Sequence, residues 1–161
     1  MSAIDKLKSD QREVEKLFAS FEKARTAARK RDIFEQIADA LAVHATIEEK
    51  HFYPAAKAKD TEDMLLEAAE EHLSVKRLIA DLLELDPKDD TFEAKVMVLK
   101  EQIEHHVEEE EKELFPKVKK MLDEETMLSL EQEMAATEQE LLEAGDPRNP
   151  GPAETGEAAP V

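Results

Sequence analysis

The chain has 161 residues, 39 % charged and only 4 % aromatic, with no Cys, which excludes disulfides, thiolate metal sites and cysteine nucleophiles. Its 40 Asp and Glu against 22 Lys and Arg leave a formal net charge of −18, a field that repels nucleic-acid phosphates and anionic lipid and gathers cations. No apolar run nears the roughly 20 residues a membrane span needs, and the opening MSAIDKLKSD has no signal-peptide core. The expectation is a cytoplasmic protein with no nucleic-acid and no membrane partner.

Apolar residues recur at helical spacing along the chain. The first helix is read from Ile4, Leu7, Gln11, Val14, Phe18 and Phe21. The second carries Ile33, Ile37, Leu41, His44, Glu48 and Phe52 on one face, and the third Leu65, Ala69, His72, Val75, Ile79 and Leu82. Asp86-Pro87-Lys88-Asp89-Asp90 is a turn that caps the fourth, which presents Val96, Leu99, Ile103, His106, Glu110, Leu114 and Val118. A shorter fifth helix is expected from near Glu124 to Leu142. Pro54 and Pro116 should kink or close the second and fourth helices.

All 3 glycines and four of the 7 prolines fall in residues 145–161, a polar stretch read as a disordered tail. Residues 1–144 are read as one all-α, up-down-up-down four-helix bundle.

The second and fourth helices repeat one pattern. HATIEEKHFYPAAK, from His44, aligns with HVEEEEKELFPKVK, from His106, matching His44 with His106, Glu48 with Glu110 and Pro54 with Pro116. SDQREVEKLFASF in the first helix aligns with EEHLSVKRLIADL in the third, matching Gln11 with His72. Two helical hairpins related by an internal pseudo-two-fold follow.

Residues four apart share a helix face, so His44 with Glu48, and His106 with Glu110, point together into the apolar stripe, where His72 also lies. Buried carboxylates need partners. One His-x3-Glu pair reads most simply as a buried hydrogen-bonded network. Two in register, each followed by aromatic-Pro and joined by a third His, read as metal ligands. An N/O donor set without thiolate suits Fe or Mn, with Zn possible.

HATIEEKHFYP and HVEEEEKELFP, with the third histidine in E-E-H, resemble the two halves of the hemerythrin-like HHE cation-binding family over about residues 1–121. The resemblance implies a non-haem di-iron centre with bridging Glu, terminal His and a position open to O₂, NO or peroxide. Carried onto matching positions, the ligands are His44, Glu48, His72, His106 and Glu110. Where the family's first helix places a histidine, this chain has Gln11. The centre is then asymmetric, mononuclear, or completed by another group such as His51 or Glu15.

His51 and Glu113 occupy equivalent places beyond the bridging carboxylates and are candidates for a supporting His–Glu pair, with His51 a possible additional ligand. His105 and the carboxylates Glu108, Glu109 and Glu111 are read as solvated. Tyr53 and Phe115 are read as core caps, Tyr53 within reach of the site as a hydrogen-bond donor. The functions open to such a chain are binding or sensing O₂, NO or iron, turnover of peroxide, or protein interaction around a weak metal site.

Overall fold

Ser2 starts the first helix as a reciprocal cap. Its hydroxyl accepts from the Asp5 N–H at 3.2 Å, and the Asp5 carboxylate accepts from the Ser2 N–H at 3.0 Å. The computed structural model describes residues 1–149 and 152–161, and no strand occurs among them. The helices are α1 (Ala3–Lys23), α2 (Ala27–Ile47), α3 (Tyr53–Ala56), α4 (Glu62–Glu84), α5 (Asp90–Glu109), α6 (Phe115–Met121), α7 (Glu124–Ala144) and α8 (Pro152–Gly156). Thr26, Asp89 and Asp123 cap α2, α5 and α7 through side-chain oxygens. With no glycine in the bundle, α4 ends differently. Arg31 of α2 donates to the carbonyls of Leu82, Leu83 and Leu85, satisfying orphan acceptors at the α4 C-terminus.

α1 packs on α2, α4 on α5, and α2 on α4, the expected up-down-up-down bundle, while α7 folds back against α1 and α2. Two apolar clusters fill it. One gathers Leu7, Ile47, Phe52, Leu65, Leu114 and Phe115, with Met127, Leu130 and Met134 of α7. The other gathers Val14, Phe18, Phe34, Leu41, Val75, Phe92 and Leu99. Gln11, His44, His72 and His106 fall between the two on their own helices. The antiparallel arrangement therefore brings four polar positions to one level.

Pro54 and Pro116 do not end their helices at the proline, since α3 and α6 run on through them. Each is preceded by a π-helical turn, Glu48–Phe52 and Glu110–Leu114. The Tyr53 N–H reaches back five residues to the Glu48 carbonyl, and Phe115 does the same to Glu110. A proline ring clashes with the carbonyl four residues before it, and a widened turn relieves that clash. The extra residue rotates everything beyond it by about 100° relative to a straight helix. That rotation decides which side chains reach the site.

The described part of the tail makes contacts with the bundle. Arg148 pairs with Asp39 at 2.9 Å and Glu35 at 3.3 Å on α2. Arg77 of α4 donates to the carbonyls of Thr155 and Gly156, and Val161 packs against the first core. Pro150 and Gly151, which the disordered reading covered, lie outside the described residues. Among the described residues no helix is long and apolar enough to cross a membrane.

Phe92 centres the second core, edge-on to Phe34 at 5.7 Å and tilted against Phe21 at 6.2 Å. Phe92→Ala is expected to cost about 3–5 kcal/mol of stability in urea unfolding, with native helicity retained at zero denaturant.

Candidate metal centre

Glu48 and Glu110 are the first residues of the two π turns, one helical turn beyond His44 and His106. Glu48 is fully buried, and Glu110, His72, His106, Gln11 and Tyr53 are nearly so. Both faces of this polar layer are apolar core, so none of these groups can turn to bulk water.

Glu48 sits at the centre. Its Oε1 lies 3.1 Å from His44 Nε2, 3.3 Å from His72 Nε2 and 3.9 Å from His106 Nε2. His106 Nε2 also stands 3.3 Å from Glu110 Oε1. Donor atoms of Glu48, His72 and His106 all fall within 4.8 Å of one another, as do those of His44, Glu48 and Glu110. The two triads share Glu48.

The fit to metal rests on atoms left without partners. Both Glu48 oxygens, both His44 ring nitrogens and the Gln11 amide oxygen are buried and make no hydrogen bond. Buried polar atoms are almost always satisfied, and such a group costs about 1–3 kcal/mol, more when charged. Of these, the Glu48 carboxylate and His44 Nε2 face each other inside the layer, an O and N donor set that a cation would satisfy. The residues fit the group.

Without a cation the layer is balanced by protons. Burial alone would lower the His44 pKa, but the Glu48 carboxylate and then the Asp10 oxygen hold it at about 10. Burial works against Glu48 ionising, yet the facing His44 keeps its pKa well below the usual range. Burial and the Glu48 charge push Glu110 up to about 7. Burial also lifts the Tyr53 phenol well above its usual value, with the Glu110 and Glu48 charges adding to it, so it stays a donor. Burial opposes charge on His72 and His106 too, and the carboxylates outweigh it. Their Nε2 atoms lie 3.2 Å apart, so at least one lone pair stands between them and only one ring carries the extra proton.

The imidazoles are aimed by carboxylates on their far sides. His72 Nδ1 bonds Glu49 at 2.6 Å, and Glu49 takes Lys76 at 2.8 Å on its other oxygen. His106 Nδ1 bonds Glu71 at 2.8 Å, and His44 Nδ1 faces Asp10 at 3.7 Å. The first two contacts fix the Nδ1–H tautomer of His72 and His106 and leave their Nε2 pointing inward, whereas the Asp10 carboxylate stands beyond hydrogen-bond distance of His44. The pseudo-two-fold relates them: Glu71 precedes His72 as Asp10 precedes Gln11, and Glu49 corresponds to Glu111. Glu49, Glu71 and Asp10 escaped the sequence reading, although each is adjacent to a residue it singled out.

Tyr53 is more than a core cap. Its hydroxyl donates to Glu110 Oε2 at 2.8 Å and lies 3.2 Å and 3.3 Å from His72 and His106 Nε2. A phenol there is also a potential oxygen donor. Gln11 lies in the layer as expected, its amide NH₂ donating to Glu110 Oε1 at 3.0 Å.

His51 and Glu113 do not form the expected pair. The π turn swings His51 onto α7, where Nε2 meets Thr137 Oγ1 at 2.6 Å and Nδ1 faces Glu133 at 3.7 Å. Glu113 is exposed, on the rim of a cavity of about 30 Å³ whose wall includes His106 and Glu110. Glu15 is exposed and pairs with Arg12, so it supplies nothing to the layer. His105 is exposed as expected, against Glu109 at 3.2 Å, while Glu111 is engaged by Arg12 at 2.5 Å rather than solvated.

Residues 2–118 match the family described as the hemerythrin HHE cation binding domain. A crystal structure of a hemerythrin HHE cation binding domain-containing protein from Mycobacterium kansasii superposes with a TM-score of 0.78 at 22 % identity, covering 89 % of each chain. That likeness is one of fold. A curated relative from Nostoc sp., described as a DNA nickase, is 27 % identical over 125 residues, 78 % of this chain. Those residues make up 36 % of the relative, so the chain spans about a third of its length.

Removing an orienting carboxylate should loosen the centre without unfolding the bundle. Glu49→Ala and Glu71→Ala are each expected to weaken metal affinity by about 10–100-fold in a competitive chelator titration, with circular dichroism unchanged.

Proposed function

The chain belongs to the hemerythrin HHE cation-binding family, and from that premise we propose that its buried layer holds a pair of non-haem iron ions that bind O₂, NO or peroxide. The carrying observation is the Glu48 carboxylate, fully buried, without a hydrogen bond and shared by two donor triads. His72 and His106 would hold one ion and His44 and Glu110 the other, with Glu48 between them. Mn or Zn would satisfy the same N/O set, but iron alone of the three combines affinity for O₂ and NO with accessible one-electron chemistry.

The chain's own groups do three things at such a centre. Glu49 and Glu71 hold the Nδ1 protons of His72 and His106 and so present their Nε2 lone pairs. Tyr53 keeps a proton 2.8 Å from Glu110, where it can be offered to a ligand beside that carboxylate. The two apolar cores exclude water from above and below. Loading displaces the protons that balance the empty layer, which couples metal affinity to pH.

Gln11 sets the reading apart from an ordinary family member. The ion beside His44 has one fewer imidazole than a histidine at position 11 would supply, so it is held less firmly. A more open position beside His44 favours ligand chemistry, including peroxide turnover, over tightly reversible carriage. The description of the Nostoc relative as a DNA nickase would require a phosphate-binding face. With 40 Asp and Glu against 22 Lys and Arg, the field here opposes one, and we assign this chain no nucleic-acid partner.

Anaerobic Fe(II) titration tests the proposal. The wild type is expected to take up two equivalents, one tight and one released first to chelator, and Gln11→His to tighten the second. Glu48→Ala should lose the pair while remaining helical; two irons bound tightly by Glu48→Ala would overturn the bridge. Metal at a hundredfold excess over Kd should also add roughly 2.7 kcal/mol of stability and so raise the melting temperature. Coincident melting curves with and without Fe(II) would favour a weak-site interaction protein.

A further inference from the structure

One buried charge takes no part in the polar layer. Lys6 of α1 is 7 % exposed, and a lysine is almost never that deep without a paired carboxylate. Its partner comes from α7, where Glu138 Oε2 accepts from Lys6 Nζ at 2.5 Å. Burial works against the ammonium, and Glu138 and then Asp10 outweigh it, so the charge is kept. The neighbouring residue of α7 is fixed as well, Thr137 meeting His51 at 2.6 Å. α7 lies beyond residues 2–118, the span that matches the family. A staple between α1 and α7 accounts for the contact with Glu138 and says nothing about the contact with Asp10.

A single oxygen of Asp10 faces two donors. Oδ2 stands 3.5 Å from Lys6 Nζ and 3.7 Å from His44 Nδ1. Both separations exceed the roughly 2.7–3.2 Å of a hydrogen bond, so the oxygen is bonded to neither. His44 Nδ1 is thereby left buried without a partner. The other two imidazoles are served differently, their Nδ1 atoms meeting carboxylates at 2.6 Å and 2.8 Å. Glu49 also has a lysine beside it, but it gives Oε2 to His72 and Oε1 to Lys76. Asp10 offers both its neighbours the same atom, so closing on one means leaving the other.

We propose that Lys6 is a positioning residue for His44: clamped by Glu138, its ammonium holds Asp10 back and leaves the His44 ring unsteered. α7 thereby reaches the polar layer through Glu138, Lys6 and Asp10, and sets how firmly that imidazole is aimed. A ring without a carboxylate on its far side is a weaker ligand. Lys6 therefore adds to Gln11 in making the ion beside His44 the exchangeable one. That consequence rests on the proposed two-iron reading; the contest for Asp10 does not.

Lys6→Met tests this by removing the ammonium while keeping an unbranched side chain. Asp10 is a quarter exposed and Glu138 nearly a third, so neither is stranded in the core by the change. The first readout is NMR of the full-length, metal-free protein, which stands whether or not the iron reading does. In Lys6→Met, Asp10 is expected to close on His44, moving the Nδ1–H proton downfield and slowing its exchange with solvent by about tenfold, the scale of one hydrogen bond to a charged group. Glu138→Ala breaks the same staple but frees Lys6 to close on Asp10, so the His44 proton should stay as in the wild type. A staple alone predicts that the two variants behave alike. Matching His44 signals in both, or an unmoved signal in Lys6→Met, would overturn the proposal. Adding Asp10→Ala to Lys6→Met should cancel the effect, and a shift that persists without Asp10 would overturn it too. In the iron-loaded protein, Lys6→Met should slow release of the first iron to chelator by about tenfold and leave the second unchanged. A His44 proton that shifts with no slower release would overturn the part given to Lys6 in retaining iron.

Discussion

Everything in this bundle is arranged around one carboxylate that has nowhere else to go. Glu48 is fully buried with neither oxygen hydrogen-bonded, while three imidazole nitrogens crowd one of those oxygens. A carboxylate in that position is tolerable only when positive charge faces it. Protons on the imidazoles provide the charge when the layer is empty, and cations provide it better. An apolar layer would pack the bundle at least as well, so this one is a functional element that the two flanking cores must support. Their placement, Leu7 and Ile47 on one side and Val14 and Leu41 on the other, also fixes the helix register. A slip of one turn along α2, α4 or α5 would drive an imidazole into hydrocarbon.

The π turns translate that constraint into sequence. The His-x3-Glu spacing is ordinary α-helix, but a straight helix continuing past Glu48 would aim Tyr53 away from the layer. Widening the turn at Glu48–Phe52 rotates Tyr53 inward and His51 outward onto α7. The partner turn at Glu110–Leu114 does the same for Phe115, which has no hydroxyl and packs edge-on to Phe52 at 5.5 Å. The pseudo-two-fold thus sets a hydrogen-bonding phenol in one half of the site and an apolar ring in the other.

The helices, their order and the residues that meet in the buried layer were legible because each rests on a local period: i, i+4 for the His–Glu pairs and the apolar stripe for register. His51 was misplaced because its projection assumed a straight helix, and proline signals a disturbance without saying whether the chain will kink, stop or widen. The roles of Glu49, Glu71 and Asp10 were hidden for a different reason. On an acidic surface carrying 40 Asp and Glu, an orienting carboxylate looks like its solvated neighbours until the ring it faces is placed. The seat of the tail was hidden as well, because it depends on Arg148 meeting Asp39 across 109 residues of sequence.

The pseudo-two-fold repeats the positions of the flanking carboxylates and is broken where Gln11 stands against His72. Asp10 faces His44 as Glu71 faces His106, and Glu111 stands where Glu49 would predict. Yet Glu49 aims an imidazole, whereas Glu111 has Gln11 for its counterpart and pairs with Arg12 instead. One half of the layer therefore offers His72 and His106, and the other offers His44, Glu110 and a neutral amide. The second set is poorer in imidazole and richer in anionic oxygen, hence harder. The buried carboxylate between them must then serve two unequal neighbours. The asymmetry that begins with one residue on α1 thereby reaches both sides of the site, through the group on which the fold is built.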